Sequence, residues 1–149
     1  MSNLPTHLSC PKCGADVLKY NNPFPTVDVL VHYNGGIVLI ERKNPPSGWA
    51  IPGGFMEYGE SAETGAIREI KEETNLEVKN LRLFTVRSEP DRDPRFHTVT
   101  IVFTADGIGE LKAGDDAGDA KVFTRENLPE EIAFDHRDVI ELFFASIEG

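Results

Sequence analysis

The sequence has few basic residues and no long apolar run. Its 149 residues include 15 lysines and arginines against 25 aspartates and glutamates, and its formal net charge is −10. This charge excludes nucleic-acid binding through a broad basic face. No stretch approaches the about 18 consecutive apolar residues of a membrane-spanning helix, so no membrane partner is expected. An anionic ligand therefore requires metal ions or a local basic cluster to offset the charge.

Cysteine is scarce as well. The two cysteines lie together in "CPKC", too few for a disulfide framework, which agrees with a reducing compartment. The N-terminal stretch "MSNLPTHLSC" lacks the basic start and apolar middle of a signal peptide. We therefore expect a cytoplasmic protein. The length fits one core, and we predict an irregular arm over residues 1–25 followed by one domain over residues 26–149.

The cysteine pair has the spacing of half a zinc ribbon. A closed structural zinc site takes four ligands, and Cys10 and Cys13 supply two. His7 is a candidate third ligand; the alternatives are a metal shared by two subunits or a knuckle that has lost its metal. A thioredoxin-like redox role is disfavoured, because no strand pattern precedes the pair and no helix pattern follows it.

Alternating β-rich and helical patterns predict a mixed sheet with helices on both sides, an α/β fold. Asn34-Gly35 joins two β-branched runs and predicts a hairpin, and Ser61 is the predicted N-cap of a helix that ends near Thr74. Asp135 is a candidate cap for a C-terminal helix. The strand and helix segments are "TVDVLVHY", "IVLIERK", "LRLFTVRS", "HTVTIVFTADG", "AKVFT" and "HRDVIELFFASI".

The first predicted helix crowds three glutamates onto one flank. With Glu69 at zero on a helical wheel, Glu72 lies near −60° and Glu73 near +40°. This acidic arc borders an apolar arc that we expect to face the core: Ala66, Ile67 and Ile70. Three carboxylates at such an edge are suited to a hard divalent cation such as Mg²⁺. The alternative is a solvated face balanced by Lys71 and Arg68.

The spacing of the residues around these glutamates favours a cation site over a solvated face. Five residues separate Gly54 from Glu60, and seven separate Glu60 from Arg68-Glu69. An aliphatic residue, two glutamates and a second aliphatic residue follow at fixed offsets, as Ile70, Glu72, Glu73 and Leu76. This pattern resembles the signature of the Nudix hydrolases at every specified position but one. Asn75 replaces a glycine there, a mild change because Asn also adopts the left-handed conformation.

The resemblance implies a Nudix-type α/β/α sandwich that cleaves a pyrophosphate linkage with Mg²⁺ or Mn²⁺. It implies that Glu69, Glu72 and Glu73 bind the metal or activate water, and that Arg68 orients a motif carboxylate. Glu60 would contribute through water, and a backbone carbonyl of Gly53 or Gly54 would add a ligand. Metal ions also offset the repulsion between a pyrophosphate and this acidic protein, because they bridge the two.

The resemblance extends to a later acidic loop. Many Nudix enzymes add a carboxylate there, and Asp115 and Asp116 precede the predicted last strand. Asp115 is accordingly a candidate general base or metal ligand. Asp116, the next residue, is a candidate substrate-binding residue. Their alternative is an ordinary turn rich in Asp and Gly. The choice of general base stays open among Glu69, Glu73 and Asp115.

The loop "RSEPDRDPRFHTVTIVFTA" resembles that of prokaryotic ADP-ribose pyrophosphatases. The resemblance implies that Arg92, Arg95 and His97 approach the substrate, and that ADP-ribose is cleaved to AMP and ribose 5-phosphate. Trp49 and Tyr58 are candidates for stacking on a base. The alternatives are a NADH or other dinucleotide pyrophosphatase, a (d)NTP pyrophosphatase, or a non-catalytic nucleotide sensor. The family often dimerises, so a homodimer is a further expectation.

Overall fold

The computed structural model describes residues 5–149, which form nine strands and two α-helices. The strands are β1 Thr6–Ser9, β2 Asp16–Lys19, β3 Phe24–Tyr33, β4 Gly36–Arg42, β5 Gly48–Ala50, β6 Gly53–Phe55, β7 Glu77–Arg87, β8 Thr98–Ile108 and β9 Ala117–Phe123. The helices are α1 Ala62–Thr74 and α2 His136–Glu148, and a short 3₁₀ helix spans Arg125–Asn127.

Seven strands form one mixed sheet. Its main order is β5-β4-β3-β8-β7, with β6 paired to β3 and β9 to β4. β3 and β8 are parallel, whereas the other pairs are antiparallel. The predicted β3–β4 hairpin is confirmed, because Asn34 and Gly35 both have positive φ, 47° and 81°, as a tight hairpin turn requires.

Each face of this sheet packs against one helix. Side chains alternate along β3, so Val27 and Val29 lie in a core cluster with Ile70 of α1, while Leu30 lies in another with Ile140 of α2. Burying each such side chain contributes about 1.5–3 kcal/mol. The predicted α/β/α sandwich is thereby confirmed.

Helix α1 has the expected caps but a narrower apolar stripe than predicted. Ser61 Oγ accepts the Thr64 N–H at 3.1 Å, and Asn75 ends the helix with φ 64° while its N–H donates to the Lys71 carbonyl at 3.1 Å. Placing Ile67 in the core was wrong, since it is 44% exposed. No helix within residues 5–149 combines the length and apolarity needed to cross a bilayer.

The N-terminal segment is more regular than predicted. β1 and β2 pair antiparallel in a separate two-stranded sheet, and β3 already begins at Phe24. Two backbone hydrogen bonds close the turn between β1 and β2: the Gly14 N–H donates to the Cys10 carbonyl, and the Cys10 N–H donates to the Ala15 carbonyl. The description of residues 1–25 as irregular was therefore wrong for this hairpin, while residues 1–4 lie outside the described part. A domain boundary at residue 25 stays a prediction.

Candidate active site

Arg68 gathers the motif glutamates around its guanidinium. Its Nη2 and Nε donate to Glu60 at 2.7 and 3.1 Å, and its Nη1 donates to Glu69 at 2.8 Å and Glu72 at 3.3 Å. Nη2 also reaches the Phe55 carbonyl at 3.1 Å. These bonds, above all the one to Glu60, raise the Arg68 pKa, and the same hydrogen bond lowers the pKa of Glu60. Arg68 thus restricts the positions of the glutamates it contacts.

Glu73 is held from the opposite side by strand β6. The Gly53 N–H donates to Glu73 Oε2 at 2.8 Å. Burial, which outweighs that hydrogen bond, and the charges of Glu69 and Asp28 together raise the pKa of Glu73 to about 8. Burial also raises the pKa of Glu69, against the opposing effect of Arg68. The two carboxyl groups therefore share a desolvated, negatively charged environment.

The acidic loop predicted to approach this helix does so. Its backbone bonds to the carbonyls that the end of α1 leaves free: the Gly114 N–H donates to the Glu73 carbonyl and the Lys112 N–H to the Thr74 carbonyl, both at 3.0 Å. This docking completes a cleft of about 290 Å³. The carboxylates that line it are Glu69, Glu72, Glu73, Asp115 and Asp116.

The acidic cleft, defined by these five carboxylates, suits a hard divalent cation. All the donors are oxygens, and the volume exceeds the about 30 Å³ that one water occupies in the liquid, leaving room for a hydrated ion. Among residues 5–149, no three His, Cys, Asp or Glu side chains converge closely enough to hold a metal as they stand. The fit therefore rests on donor type and on the excess of carboxylates over the single guanidinium, that of Arg68, which pairs with Glu69 and Glu72. A Gly53 carbonyl ligand stays a prediction.

A second cavity adjoins the acidic cleft and is basic and aromatic in character. The Arg42 guanidinium lies 4.8 Å from the Phe134 ring centre, and that of Arg95 lies 5.4 Å from it. Burial, followed by the charge of Arg95, lowers the pKa of Arg42. Glu73 lines this cavity as well as the acidic cleft. We call it the Arg42 pocket; the sequence did not predict Arg42 as part of a site.

The predicted substrate residues differ in their surroundings. Arg92 lines the Arg42 pocket but is only 5% exposed and is bonded to Asp135, Thr98 and Thr100. Arg95 lines the pocket and pairs with Asp93 at 2.9 Å.

His97 is exposed and bonded to the Ser88 carbonyl, and it lines neither cavity. Asp135 occupies the predicted N-cap position of α2, and its carbonyl accepts the Asp138 N–H at 3.1 Å, but its side chain makes no capping bond. Its carboxylate instead accepts from Arg87 at 3.0 Å and from Arg92.

A buried Asp28–His136 pair supports the floor of the Arg42 pocket. The Ile51 N–H donates to His136 Nδ1 at 3.0 Å, which leaves Nε2 to donate to Asp28 Oδ2 at 3.1 Å. Both side chains line the pocket. The sequence contains a signal for Asp28, a single carboxylate within the apolar run "TVDVLV".

Several other predicted residues lie outside both cavities. Trp49 packs against Phe123, with ring centres 4.9 Å apart, and Tyr58 is fully exposed. Neither lines the Arg42 pocket or the acidic cleft. The candidate zinc residues lie on the N-terminal hairpin, where Cys10 and Cys13 are free thiols and His7 Nδ1 bonds to Asp16 at 2.7 Å.

Comparison with known proteins agrees with this fold and this acidic helix. The family model of the NUDIX domain matches residues 22–143, and the chain belongs to the NUDIX domain family. The chain is 50% identical over 125 residues to an ADP-ribose pyrophosphatase from Methanocaldococcus jannaschii, an alignment covering 82% of this chain and 73% of the relative. Family and relative together make it a Nudix pyrophosphohydrolase.

Two further similarities bear on specificity and fold. A NAD-capped RNA hydrolase NudC from Vibrio vulnificus is 38% identical over 125 residues, covering 82% of this chain but 46% of the relative, so the chain spans about half of that protein. A solved NUDIX hydrolase from Nitrosomonas europaea superposes with a TM-score of 0.78 at 28% identity, covering 94% of this chain and 80% of the other.

Proposed function

We propose that the protein hydrolyses ADP-ribose to AMP and ribose 5-phosphate, with Mg²⁺ or Mn²⁺ in the acidic cleft. The observation that carries the proposal is the position of Glu73, which borders both the acidic cleft and the Arg42 pocket. A pyrophosphate placed at this border has carboxylates for its metal ions on one side and arginines on the other. The similarity to the ADP-ribose pyrophosphatase of M. jannaschii supports this substrate.

In the proposed mechanism, water attacks one phosphorus atom and the bridging P–O bond breaks. Glu69, Glu72 and Glu73 would hold the cations together with Asp115, and Arg68 keeps Glu69 and Glu72 in place. When bound, the cations lower the pKa of water and stabilise the charge on the leaving phosphate. The proton lost by the water passes to a carboxylate. Glu69, Glu73 and Asp115 are the three candidates for that base.

The arginines of the Arg42 pocket have separate proposed roles. Arg42 makes no ion pair among the described residues and donates only its Nε, to the Pro46 carbonyl at 2.7 Å, so its Nη groups are available to a phosphate. Arg95 lines the same pocket, and we assign it to binding the substrate together with Arg42. Asp116, which lines the acidic cleft, is the remaining proposed substrate-binding residue. Arg92 is already bonded to Asp135 and two threonines, so we assign it to positioning the pocket wall.

A dinucleotide such as NADH is the second candidate substrate. The observation that favours it is the similarity to NudC, named as an NAD-capped RNA hydrolase. ADP-ribose and NADH share an ADP half, so the same pyrophosphate site serves both. (d)NTP hydrolysis and nucleotide sensing without turnover are the remaining alternatives. Cytoplasmic location and homodimer formation stay predictions.

The deciding experiment compares kcat/KM for ADP-ribose, NADH and a panel of (d)NTPs, with Mg²⁺ or Mn²⁺ and after EDTA treatment. We expect AMP as the product from ADP-ribose, the highest kcat/KM for that substrate, and loss of turnover in EDTA. Glu73→Gln should abolish turnover, whereas exposed Glu63→Gln on the same helix should retain it. Binding of ADP-ribose without turnover would identify a sensor instead.

A further inference from the structure

The N-terminal hairpin, β1 and β2 with the turn between them, lacks the features that normally stabilise such an element. All eight residues of its two strands are exposed, and the strands form their own sheet apart from the seven-stranded one. An isolated two-stranded hairpin is marginally stable in water at best. Its exposed residues include the large apolar side chains of Leu8, Val17 and Leu18, and the exposed Tyr20 follows directly after β2. The hairpin therefore requires a partner surface or a cross-link.

The turn of this hairpin presents two thiols. Cys10 and Cys13 are both free, and Cys13 is exposed. The turn is closed by backbone bonds from Gly14 to Cys10 and from Cys10 to Ala15, each 2.8 Å, so the backbone carrying Cys10 and Cys13 is constrained. The backbone N–H groups of Lys12 and Cys13 face the Cys10 thiol.

One chain does not complete such a site. The sequence contains two cysteines, whereas structural zinc sites have four ligands. His7, another candidate ligand in the hairpin, is hydrogen-bonded through Nδ1 to Asp16 Oδ2 at 2.7 Å. Within residues 5–149, no third His, Cys, Asp or Glu joins the cysteines in a metal-binding group. The missing ligands must come from another molecule.

We propose that Cys10 and Cys13 bind a zinc ion together with the same two cysteines of a second copy of this chain. Two identical hairpin turns related by a twofold axis supply four thiolates, the tetrahedral set that zinc prefers. The shared ion cross-links the two hairpins and brings their exposed apolar side chains close to each other. The partner is a second copy of this chain, because each copy contributes two of the four ligands of the shared ion. The site lies on a different sheet from the acidic cleft.

The test measures zinc content and molecular mass of the full-length protein purified with zinc. We expect about one zinc ion per two chains, in a dimer that dissociates when a strong chelator removes the metal. Cobalt substitution should give the charge-transfer absorption of a tetrathiolate site. Cys10→Ser/Cys13→Ser should lose both zinc and the metal-dependent dimer. Because the hairpin has its own sheet, the domain fold of this variant, checked by circular dichroism, should be unchanged.

His7→Gln is the matched control, since glutamine retains a hydrogen bond to Asp16 while removing the imidazole. It should keep the zinc-to-chain ratio and the dimer. One zinc ion per chain in a monomer, or loss of zinc in His7→Gln, would overturn the shared site. Absence of zinc from the wild-type protein, or a zinc content unaffected by the cysteine substitutions, would overturn it equally.

Discussion

Gly54 lies directly against the carboxylate of Glu69. A Cβ atom at Gly54 would be 2.6 Å from Glu69 Oε1 and 2.7 Å from its carboxyl carbon. The first glycine of the motif, on strand β6, is therefore a steric requirement of the acidic cleft. We expect Gly54→Ala to displace Glu69 and to lower kcat for ADP-ribose by at least about tenfold, corresponding to 1.4 kcal/mol of lost transition-state stabilisation.

A double-mutant cycle tests whether this loss acts through Glu69. If Gly54→Ala works by moving that carboxylate, it should have little further effect on kcat in a Glu69→Gln background. Additive losses in the double variant would contradict this mechanism. Urea unfolding should show a smaller change for Gly54→Ala than the about 1–3 kcal/mol of core overpacking, because the displaced group is a side-chain end.

Arg68 is the centre of the glutamate network, and its geometry matters as well as its charge. Arg68→Lys keeps the positive charge but loses the two parallel bonds to Glu60 and the simultaneous bond to Glu69. We expect kcat/KM to fall about 10- to 100-fold, the scale reported for residues that orient metal ligands. Raising the Mg²⁺ concentration should recover part of the activity, because displaced ligands weaken metal binding.

Lys71→Gln on the same helix is the control for Arg68→Lys. Lys71 pairs with Glu77 in solvent, with both side chains at least half exposed, and such pairs contribute little. Its kcat/KM should stay within about twofold of wild type. Equal losses in the two variants would show that charge on α1 matters, rather than the bonds made by Arg68.

Local patterns were sufficient to predict most of the fold. Asn34-Gly35 predicted a hairpin because both positions need positive φ, and Asn75 predicted a left-handed helix end; the structure shows both. Helical periodicity placed Glu69 and Glu73 together, and motif spacing brought Gly54 towards them. These features depend on residues close in the chain, where backbone geometry alone determines neighbours.

Features that depend on distant segments were missed. Arg42 and Phe134 are 92 positions apart in the chain and meet only because β4 and the segment before α2 pack together. Asp135 has the sequence context of a capping side chain, yet its carboxylate is bonded to Arg92, 43 positions away in the chain. The apolar stripe of α1 was predicted to include Ile67, which is exposed. Helical periodicity does not show which residues at the edge of the stripe the sheet covers. Such outcomes require the tertiary arrangement.

The buried carboxyl of Glu73 makes stability depend on pH in the metal-free protein. Its folded-state pKa is about 8 against an ordinary value of 4.5, so between these values the folded state binds a proton that the unfolded state lacks. Stability should be highest below about pH 4.5 with respect to this group, and should fall as pH rises towards 8, by up to about 5 kcal/mol. Urea unfolding in EDTA across this range measures the slope.

Glu73→Gln should reduce that slope to the part that Glu69 contributes, because glutamine does not titrate and the raised pKa of Glu69 acts in the same direction. Glu63→Gln should leave it unchanged, since Glu63 is exposed in the first turn of α1. Mg²⁺ should stabilise the wild type more at pH 8 than at pH 5, as the cation binds the ionised carboxylates. A stability that rises with pH in EDTA, equally in wild type and Glu73→Gln, would contradict the assignment.

Arg42 gives the sharpest test of the pocket that the sequence did not predict. Its guanidinium is half-buried over Phe134 beside Arg95, and two neighbouring cations are unfavourable until an anion binds between them. Arg42→Gln should raise KM for ADP-ribose by about 10- to 100-fold, because hydrogen bonds to charged groups contribute about 1.5–3 kcal/mol. The change in kcat should be smaller, since Arg42 is assigned to binding.

The control for Arg42→Gln is Arg82→Gln, an identical change of charge on the exposed edge strand β7. If the arginine acts only by making the whole protein less acidic, both variants should raise KM equally, and both effects should fade with added salt. A pocket contact predicts otherwise: only Arg42→Gln raises KM, and Phe134→Leu weakens binding in the same direction, because the ring that supports the guanidinium is lost. Unchanged KM in Arg42→Gln would exclude this pocket as the substrate site while leaving the acidic cleft untouched.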